Sequence, residues 1–595
     1  MVSRFLCTTA LEETWRDDEP VLFLGEWCRR FSRKDRWSTM DAEVLPYHWD
    51  DRARLYADYL YLQEFHERLL REIAANLNQM HDVDHGLRYW RILVGPWLGY
   101  FVQMLFDRWA CIHDAIGTYE LSGTVVLFGH DETLIPNDMA EFPSFFVGDE
   151  WNHHIYGAIL QQFTGVPCSR RPARVVQGTS ALATPAVWTQ RAYQTAARLY
   201  SSVSSALSRE HDAFFLSTYL PLLDELRVQR RLGQVPQHWH SAPAVRVGVD
   251  GTKRRWVVSG ESRSEFEICT RALIPKQMPA LYIEGYNKLV DQAAELPWPG
   301  QPKVIWTCNS HGLDDVFKVW AAEKVERGVP LVIGQHGGHY GVGRWSFTED
   351  HDIAISDTYL SWGWSDRQHN NVRPLGQLKA KRPLKVRHAA QSRALLVICT
   401  VPRFSYWMYS ASVSRQWLDY FNGLCGFVGS LPRPVRNALI VRLYRQDFGW
   451  DQVSRWRDRF PDLDLDQGAS NIDDLISHSR LYISTYNATT FLESFTMNVP
   501  TVIYWNPFHW ELRASAEPYF TDLERVGIFH ATPESAAKHV AAIWDNIEAW
   551  WSSPAVREVL GRFKQRYCHL PADIVGCVSD AIRESIIGAN ETSGQ

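Results

Sequence analysis

Ser484-Thr485-Tyr486-Asn487-Ala488-Thr489-Thr490 is a turn crowded with hydroxyls and one amide. It lies between an apolar run, RLYI, and a short helical stretch, FLESFTMN, which is followed by a second apolar run, PTVIYW. A strand, a polar turn and a helix N-terminus make an anion site, because free backbone N–H groups and the positive end of the helix dipole favour phosphate. Ser484, Thr485, Asn487, Thr489 and Thr490 can bond that phosphate. Thr489 or Thr490 can equally serve as an ordinary N-cap. Glu493, one turn into the helix, stands where a carboxylate takes the ribose hydroxyls of a nucleotide held at the helix start; a solvent-facing helical glutamate is the plain alternative.

Arg442 and Arg445 follow the apolar run ALIV. Cations at the carboxyl end of a buried strand point into the same cleft and can neutralise a diphosphate or a donor carboxylate. His336 sits in GQHGG directly after the buried run PLVIG. Glycines allow close backbone approach there, and the imidazole can act as general base on an acceptor hydroxyl or bind phosphate. His311, in NSHG after the preceding strand, is a second candidate. Asp314, Asp315, Glu349 and Asp352 line the same rim, with Asp149 and Glu150 from an earlier helix start. One of them can be the catalytic base or, in a retaining mechanism, the nucleophile. The catalytic set is therefore taken as His336, Asp315 and Glu349. Lys318 and Lys324 could reach a phosphate, although exposure is the ordinary state of lysine.

Composition bounds these readings. A chain of 595 residues needs two or three cores. A net charge of −6 without a dominant basic run gives no footprint for nucleic acid. Twenty-six tryptophans suit stacking on sugar rings, although most large aromatics bury in cores. Ten scattered cysteines form no CxxC pair, which suits a reducing compartment and gives no zinc spacing. The start of the chain lacks the apolar core of a signal peptide, and no 18-residue apolar window occurs, so the expectation is a cytoplasmic protein with at most peripheral membrane contact. P-loop, GxGxxG, GxSxG and HExxH motifs are absent, and the Asp462–Asp466 stretch DLDLD alternates like an edge strand, not like a metal-binding DxD. The site is expected to need no metal and no cofactor beyond a nucleotide-sugar co-substrate, CMP-, UDP- or GDP-linked.

The elements that position these residues alternate. Strand-like VLFLGEWC is followed by helical patterns across residues 51–120, a strand in GTVVLFGHDE, and a helix from Asp149 to about Phe163. Residues from about 165 to 270 are the least regular and read as an insertion, with a hairpin or excursion loop in GVDGTKRRWVVSGES. Alternation resumes at ALYIEGY (280–286). It continues through KVIWTCNS, the helix DDVFKVWAAEKVERG, PLVIG and a strand-like run at Asp352–Ile355. Residues 366–393 are polar, basic and proline-containing, as in a linker between domains. Beyond them come ALLVICT, a helix, ALIVRLY, and the stretch around Ser484, closed by a helical tail. The predicted architecture is α/β of GT-B type: two Rossmann-like domains facing across a cleft, with extra N-terminal helices. Residues 1–380 form the acceptor-side domain and 381–595 the nucleotide-sugar domain, the last helices packing back on the first.

The chain resembles a bacterial family of transferases associated with O-antigen and other surface-polysaccharide gene regions. The similar stretches include LGEWC, LPYHWDDR, YWRILVGPWL, GQHGGHYG, SDTYLSWGW, VRLYRQDFGW and STYNATTFLES, and they span nearly the whole chain. That resemblance implies a role in lipopolysaccharide or capsule-type polysaccharide biosynthesis, with a nucleotide sugar and a glycan or lipid-linked glycan acceptor as partners. The His-Gly turn also looks like that of teichoic-acid polymerases, which implies a base at His336 and leaves open a CDP-polyol phosphotransferase. The segment STYNATTFLES looks like the donor loop of many GT-B enzymes, which implies phosphate contacts from Ser484, Thr485, Thr489 and Thr490 and a ribose contact from Glu493. The chain lacks the His-Pro motif of CMP-sialic-acid transferases. A non-catalytic glycan-binding protein is the third reading.

Overall fold

The computed structural model describes residues 2–129, 131–173, 208–379, 393–405 and 409–593. Within them the chain builds three parallel sheets. The first carries β1 (Arg4–Cys7), β2 (Val21–Phe23), β3 (Ala42–Val44), β4 (Leu121–Phe128) and β5 (Cys168–Pro172) in the order β3-β2-β1-β4-β5. The second carries β6 (Phe214–Leu216), β7 (Ile305–Thr307), β8 (Leu331–Gly334), β9 (Thr358–Ser361) and β10 (Val372–Pro374) in the order β10-β9-β8-β7-β6. The third carries β11 (Ala394–Val397), β12 (Leu439–Arg442), β13 (Asp464–Asp466), β14 (Leu481–Ser484), β15 (Thr501–Tyr504) and β16 (Phe529–His530) in the order β13-β12-β11-β14-β15-β16.

The middle sheet shows why its strands read as unbroken apolar runs. Along β6 to β9 the side chains alternate between two cores: Phe214, Ile305, Leu331, Ile333 and Tyr359 enter the main one. Phe215, Trp306, Val332 and Leu360 enter the other. A parallel sheet buried on both faces has no polar side to show. The second core is closed by the last helix, Ile574–Ser593, whose Val575, Val578, Ala581 and Ile582 pack on it. The chain thus crosses back from the third sheet to the second. It does so at His569, whose N–H donates to Trp362 O at 3.0 Å and whose carbonyl accepts from Gln377 N at 2.8 Å.

The second and third sheets direct the carboxyl ends of their strands toward one another, the GT-B arrangement. Segments that follow those strands pair across the join: Arg344 N donates to Glu511 O and Arg513 N to Val342 O, both at 2.9 Å. The first sheet is bound to the third through side chains. Arg403 pairs with Asp149 at 2.5 Å and Arg52 with Glu511 at 2.7 Å. Arg108 is fully buried and bonds Asp107, Asn152 and the carbonyl of Ser405.

Several expectations are corrected by these elements. The N-terminal region holds the expected helices and also a whole five-stranded sheet, of which only the strands near Val21 and Val125 were expected, because β1, β2 and β3 are only three or four residues long. ALYIEGY opens as a buried helix, Ala280–Ile283, because a continuous apolar run serves either structure when both sides are buried. Asp352–Ile355 belongs to the helix Phe347–Ile355, started by Ser346, whose side chain accepts from Glu349 N. That Ser-x-x-Glu spacing is a capping-box signal present in the sequence. Of the hairpin and the excursion loop expected in GVDGTKRRWVVSGES, the chain forms the loop, with a 3-10 turn at Gly251–Arg254 and no strand. Of the 366–393 linker, Val372–Pro374 is the edge strand β10, and residues 380–392 lie outside the described residues. Among the described residues no helix is long and apolar enough to cross a membrane.

Candidate functional site

The turn after β8 is pinned from below. Gln335 accepts with Oε1 from Trp362 N at 2.9 Å and Trp364 Nε1 at 2.8 Å, and its Nε2 donates to Gly337 O at 2.8 Å. Its amide therefore fixes the His336 backbone to the end of β9. The His336 ring is half-buried. Its Nδ1 lies 3.6 Å from Asp352 Oδ2, and Tyr340 OH lies 3.2 Å from its Nε2. Asp352 is buried, and its other oxygen is held by His311 Nε2 at 2.6 Å. Asp352 Oδ2 and His336 Nδ1 make no hydrogen bond at this distance, so each is a buried polar atom left for the other. Asp352 is thus shared by two histidines that the sequence placed after two different strands.

Burial pulls the His336 pKa down to about 4; the Asp352 carboxylate opposes this, and His311 and the Lys379 ammonium add to it. The imidazole is neutral near pH 7. If Nδ1 carries the proton, on the side of Asp352, Nε2 is left to accept from Tyr340 OH, which is the tautomer a general base requires.

Opposite this turn stands the Ser484–Thr490 turn. It follows β14, which neighbours β11, and strand order reverses between those two strands. A crevice outside such a switch point is where doubly wound sheets bind ligands. The helix Thr489–Thr496 begins after Ala488 with no side-chain cap. Its hydroxyls are engaged elsewhere: Thr489 Oγ1 accepts from Gly338 N at 3.1 Å and Thr490 Oγ1 from Tyr482 OH at 2.7 Å. Thr485 Oγ1 donates to Val397 O at 2.9 Å, and Ser484 Oγ to Tyr486 O at 3.3 Å. Asn487 is buried with neither amide atom partnered. Gly338 fits this join because a Cβ there would lie 2.6 Å from the backbone carbon of Ala488.

A cleft of about 1010 Å³ opens beside the join, between the second and third sheets. Glu493 lines it from the third, and Tyr219, Gln377 and Lys379 from the second. Lys379 rests 3.8 Å from the centre of the Tyr219 ring. Burial lowers its pKa, and Glu493 opposes the shift. Gln377, on the cleft wall, is buried with neither side-chain amide atom partnered. Gln377 and Lys379 were missed because they fall in the polar stretch read as a linker.

The other candidates are placed as follows. Asp315 is buried, with Oδ2 accepting from Met139 N at 2.8 Å and Oδ1 facing Tyr282 OH at 2.7 Å and Lys318 Nζ at 2.5 Å. Glu349 is buried between Gly341 N at 2.8 Å and Arg513 at 2.6 Å, an ion pair that spans the join; burial raises its pKa and Arg513 opposes that. Arg442 pairs with Asp466 of the edge strand β13, and Arg445 beyond it is exposed. Arg442, Val397 and Ser484 stand level across β12, β11 and β14, so both arginines rim the third sheet one strand removed from the Ser484 turn. Lys318 and Lys324 are buried, contrary to the expected exposure; Lys318 Nζ donates to Leu93 O at 3.0 Å.

Solved structures with related outlines share little sequence with the chain. Acinetobacter baumannii MurG is 12% identical, covering 62% of this chain and 98% of its own, with a TM-score of 0.32. The wall teichoic acid polymerase TagF is 11% identical over 68% of this chain and 100% of its own, at 0.33. WaaG, a glycosyltransferase involved in lipopolysaccharide biosynthesis, is 13% identical over 62% and 99%, at 0.28. No curated protein matches the sequence. The family model described as LIC12162 family transferase matches residues 4–582, and the chain belongs to that family.

Proposed function

We propose that the protein is a metal-independent GT-B glycosyltransferase, moving a sugar from a nucleotide-activated donor to a hydroxyl of a surface-glycan acceptor. One observation carries the reading. The Gly338–Thr489 contact sets the His336–Asp352 pair against the uncapped start of the helix Thr489–Thr496, beside a cleft with Glu493 on its wall.

The donor diphosphate sits at that helix start, where the N–H groups and dipole face it, and Lys379 adds a cation from the second sheet. Glu493 takes the ribose hydroxyls. His336 Nε2 removes the proton of the acceptor hydroxyl as that oxygen bonds the anomeric carbon, and the bond from that carbon to the phosphate oxygen breaks. Asp352 keeps Nδ1 protonated and stabilises the imidazolium that forms. The departing nucleoside diphosphate leaves with its charge held by the helix start and Lys379.

The test is a thermal-shift titration with CMP, CDP, UDP, GDP and dTDP on the wild type and on Glu493→Ala. A nucleotide at about 100 times its Kd adds roughly 2.7 kcal/mol. The expected result is a shift with one nucleotide that Glu493→Ala abolishes. No shift with any of the five overturns the donor site and favours a glycan-binding protein.

A further inference from the structure

We propose that the acceptor is held as a single uncharged sugar ring in a separate pocket on the Nε2 side of His336, walled by all three sheet modules. This rests on the glycosyltransferase reading and adds to it the acceptor's chemical class.

The pocket has a volume of about 200 Å³ and shares His336 and Tyr340 with the base described above. That is below the span of pockets that enclose drug-sized ligands and suits one ring, not a nucleotide. Tyr100 enters from the helix Gly95–Thr118 of the N-terminal module, and Tyr409 enters from the third-sheet module. The remaining lining comes from the turn after β8 and the start of the helix Phe347–Ile355.

Its chemistry is of one kind. His339 stacks on Tyr409 with ring centroids 4.5 Å apart, and Tyr100 meets Phe347 edge-on at 5.8 Å. Aromatic surfaces of this sort accept the C–H faces of a pyranose. Between them Ser346 Oγ and Thr348 Oγ1, 3.1 Å apart, offer groups that both donate and accept, matching a ring's hydroxyls. Among the described residues, no aspartate, glutamate, lysine or arginine lines the pocket. His336 and His339 are both neutral near pH 7, burial holding His339 down to about 3. A carboxylate or phosphate entering here would lose water without meeting a cation, which is costly. A ring seated here meets His336 beside the Tyr340 hydroxyl, which lies 3.2 Å from Nε2, and its own hydroxyl reaches Nε2 when Tyr340 gives up that contact.

Saturation-transfer NMR tests this with methyl glucoside, methyl galactoside and methyl N-acetylglucosaminide against methyl glucuronoside, each with the five nucleotides present. Wild type is expected to bind at least one neutral glycoside and not the glucuronoside. Tyr100→Ala and Thr348→Val are each expected to weaken that binding by tenfold or more while the nucleotide signal stays. Two variants are used so that misfolding of one leaves the other decisive. Glucuronoside binding equal to the neutral rings overturns the proposal, as does neutral binding that neither folded variant alters. Nucleotide bound with no glycoside bound overturns the pocket alone; neither bound overturns the pocket and the donor reading together.

Discussion

At the scale of residues, the shared carboxylate of Asp352 decides how His336 behaves. His336→Ala removes the proposed base and is expected to lower transfer by on the order of 10²–10⁴-fold with nucleotide binding unchanged. Asp352→Asn keeps the shape but offers an amide to both histidines, and it is expected to reduce kcat by a comparable factor. If His336→Ala transfers sugar at the wild-type rate, the base lies elsewhere. The acid limb of kcat/KM follows from the same burial: the base is neutral from pH 7 downward until pH falls through about 4. His336 and His339 titrate near 4 and 3 when folded and near the ordinary 6.5 when unfolded, so between those values the unfolded chain binds more protons. Stability is therefore full above about pH 6.5 and declines as pH falls toward 4. Melting curves recorded beside the rate profile separate unfolding from protonation of the base.

Among the elements, the two facing turns carry the site, and they differ in how openly the sequence announces them. The Ser484–Thr490 turn and His336 are legible because strand, polar turn and helix are contiguous in each. Asp352 is harder to select, sixteen residues beyond His336 in a run whose Ile-Ala-Ile ending imitates a strand, with the Ser346–Glu349 cap as the overlooked sign. Gln377 and Lys379 were hidden by composition, since a three-residue edge strand such as β10 has too few residues to show a period. The hydroxyls of Thr489 and Thr490 were legible as polar turn residues, but not their use as acceptors from Gly338 and Tyr482, which depends on tertiary contact. Gly338 makes a prediction at this scale. A methyl group there meets backbone atoms of Ala488 and Thr489 within 2.7 Å, which no side-chain movement relieves. Gly338→Ala is expected to separate the two turns and lower kcat by on the order of 10²-fold. Unchanged kinetics in a folded Gly338→Ala protein contradicts a catalytic role for the join.

Over the whole molecule, the second and third sheets followed from the alternation of apolar runs and helices, while the first, N-terminal sheet did not as a whole. Its β1, β2 and β3 are brief, and the long helices Arg52–His81 and Gly95–Thr118 dominate the pattern around them. The returning C-terminal helix sits on buried Val575, Val578, Ala581 and Ile582, two of them completely enclosed. Deleting residues 574–593 uncovers Phe215, Trp306, Val332 and Leu360 on the middle sheet and is expected to cost several kcal/mol, at about 1.5–3 kcal/mol for each large apolar side chain lost. Denaturant unfolding of the truncated chain checks this, and an unchanged midpoint would show that the helix is not what closes that core.

The return crossing at His569 also has a kinematic consequence. The second and third sheets are joined by the chain between β10 and β11 and again by the chain between Tyr567 and Ile574. Two covalent crossings limit how far the two sheets can separate or twist apart more than a single one would. Without the His569 crossing, the chain between β10 and β11 would be the one remaining covalent link across the Gly338–Thr489 contact.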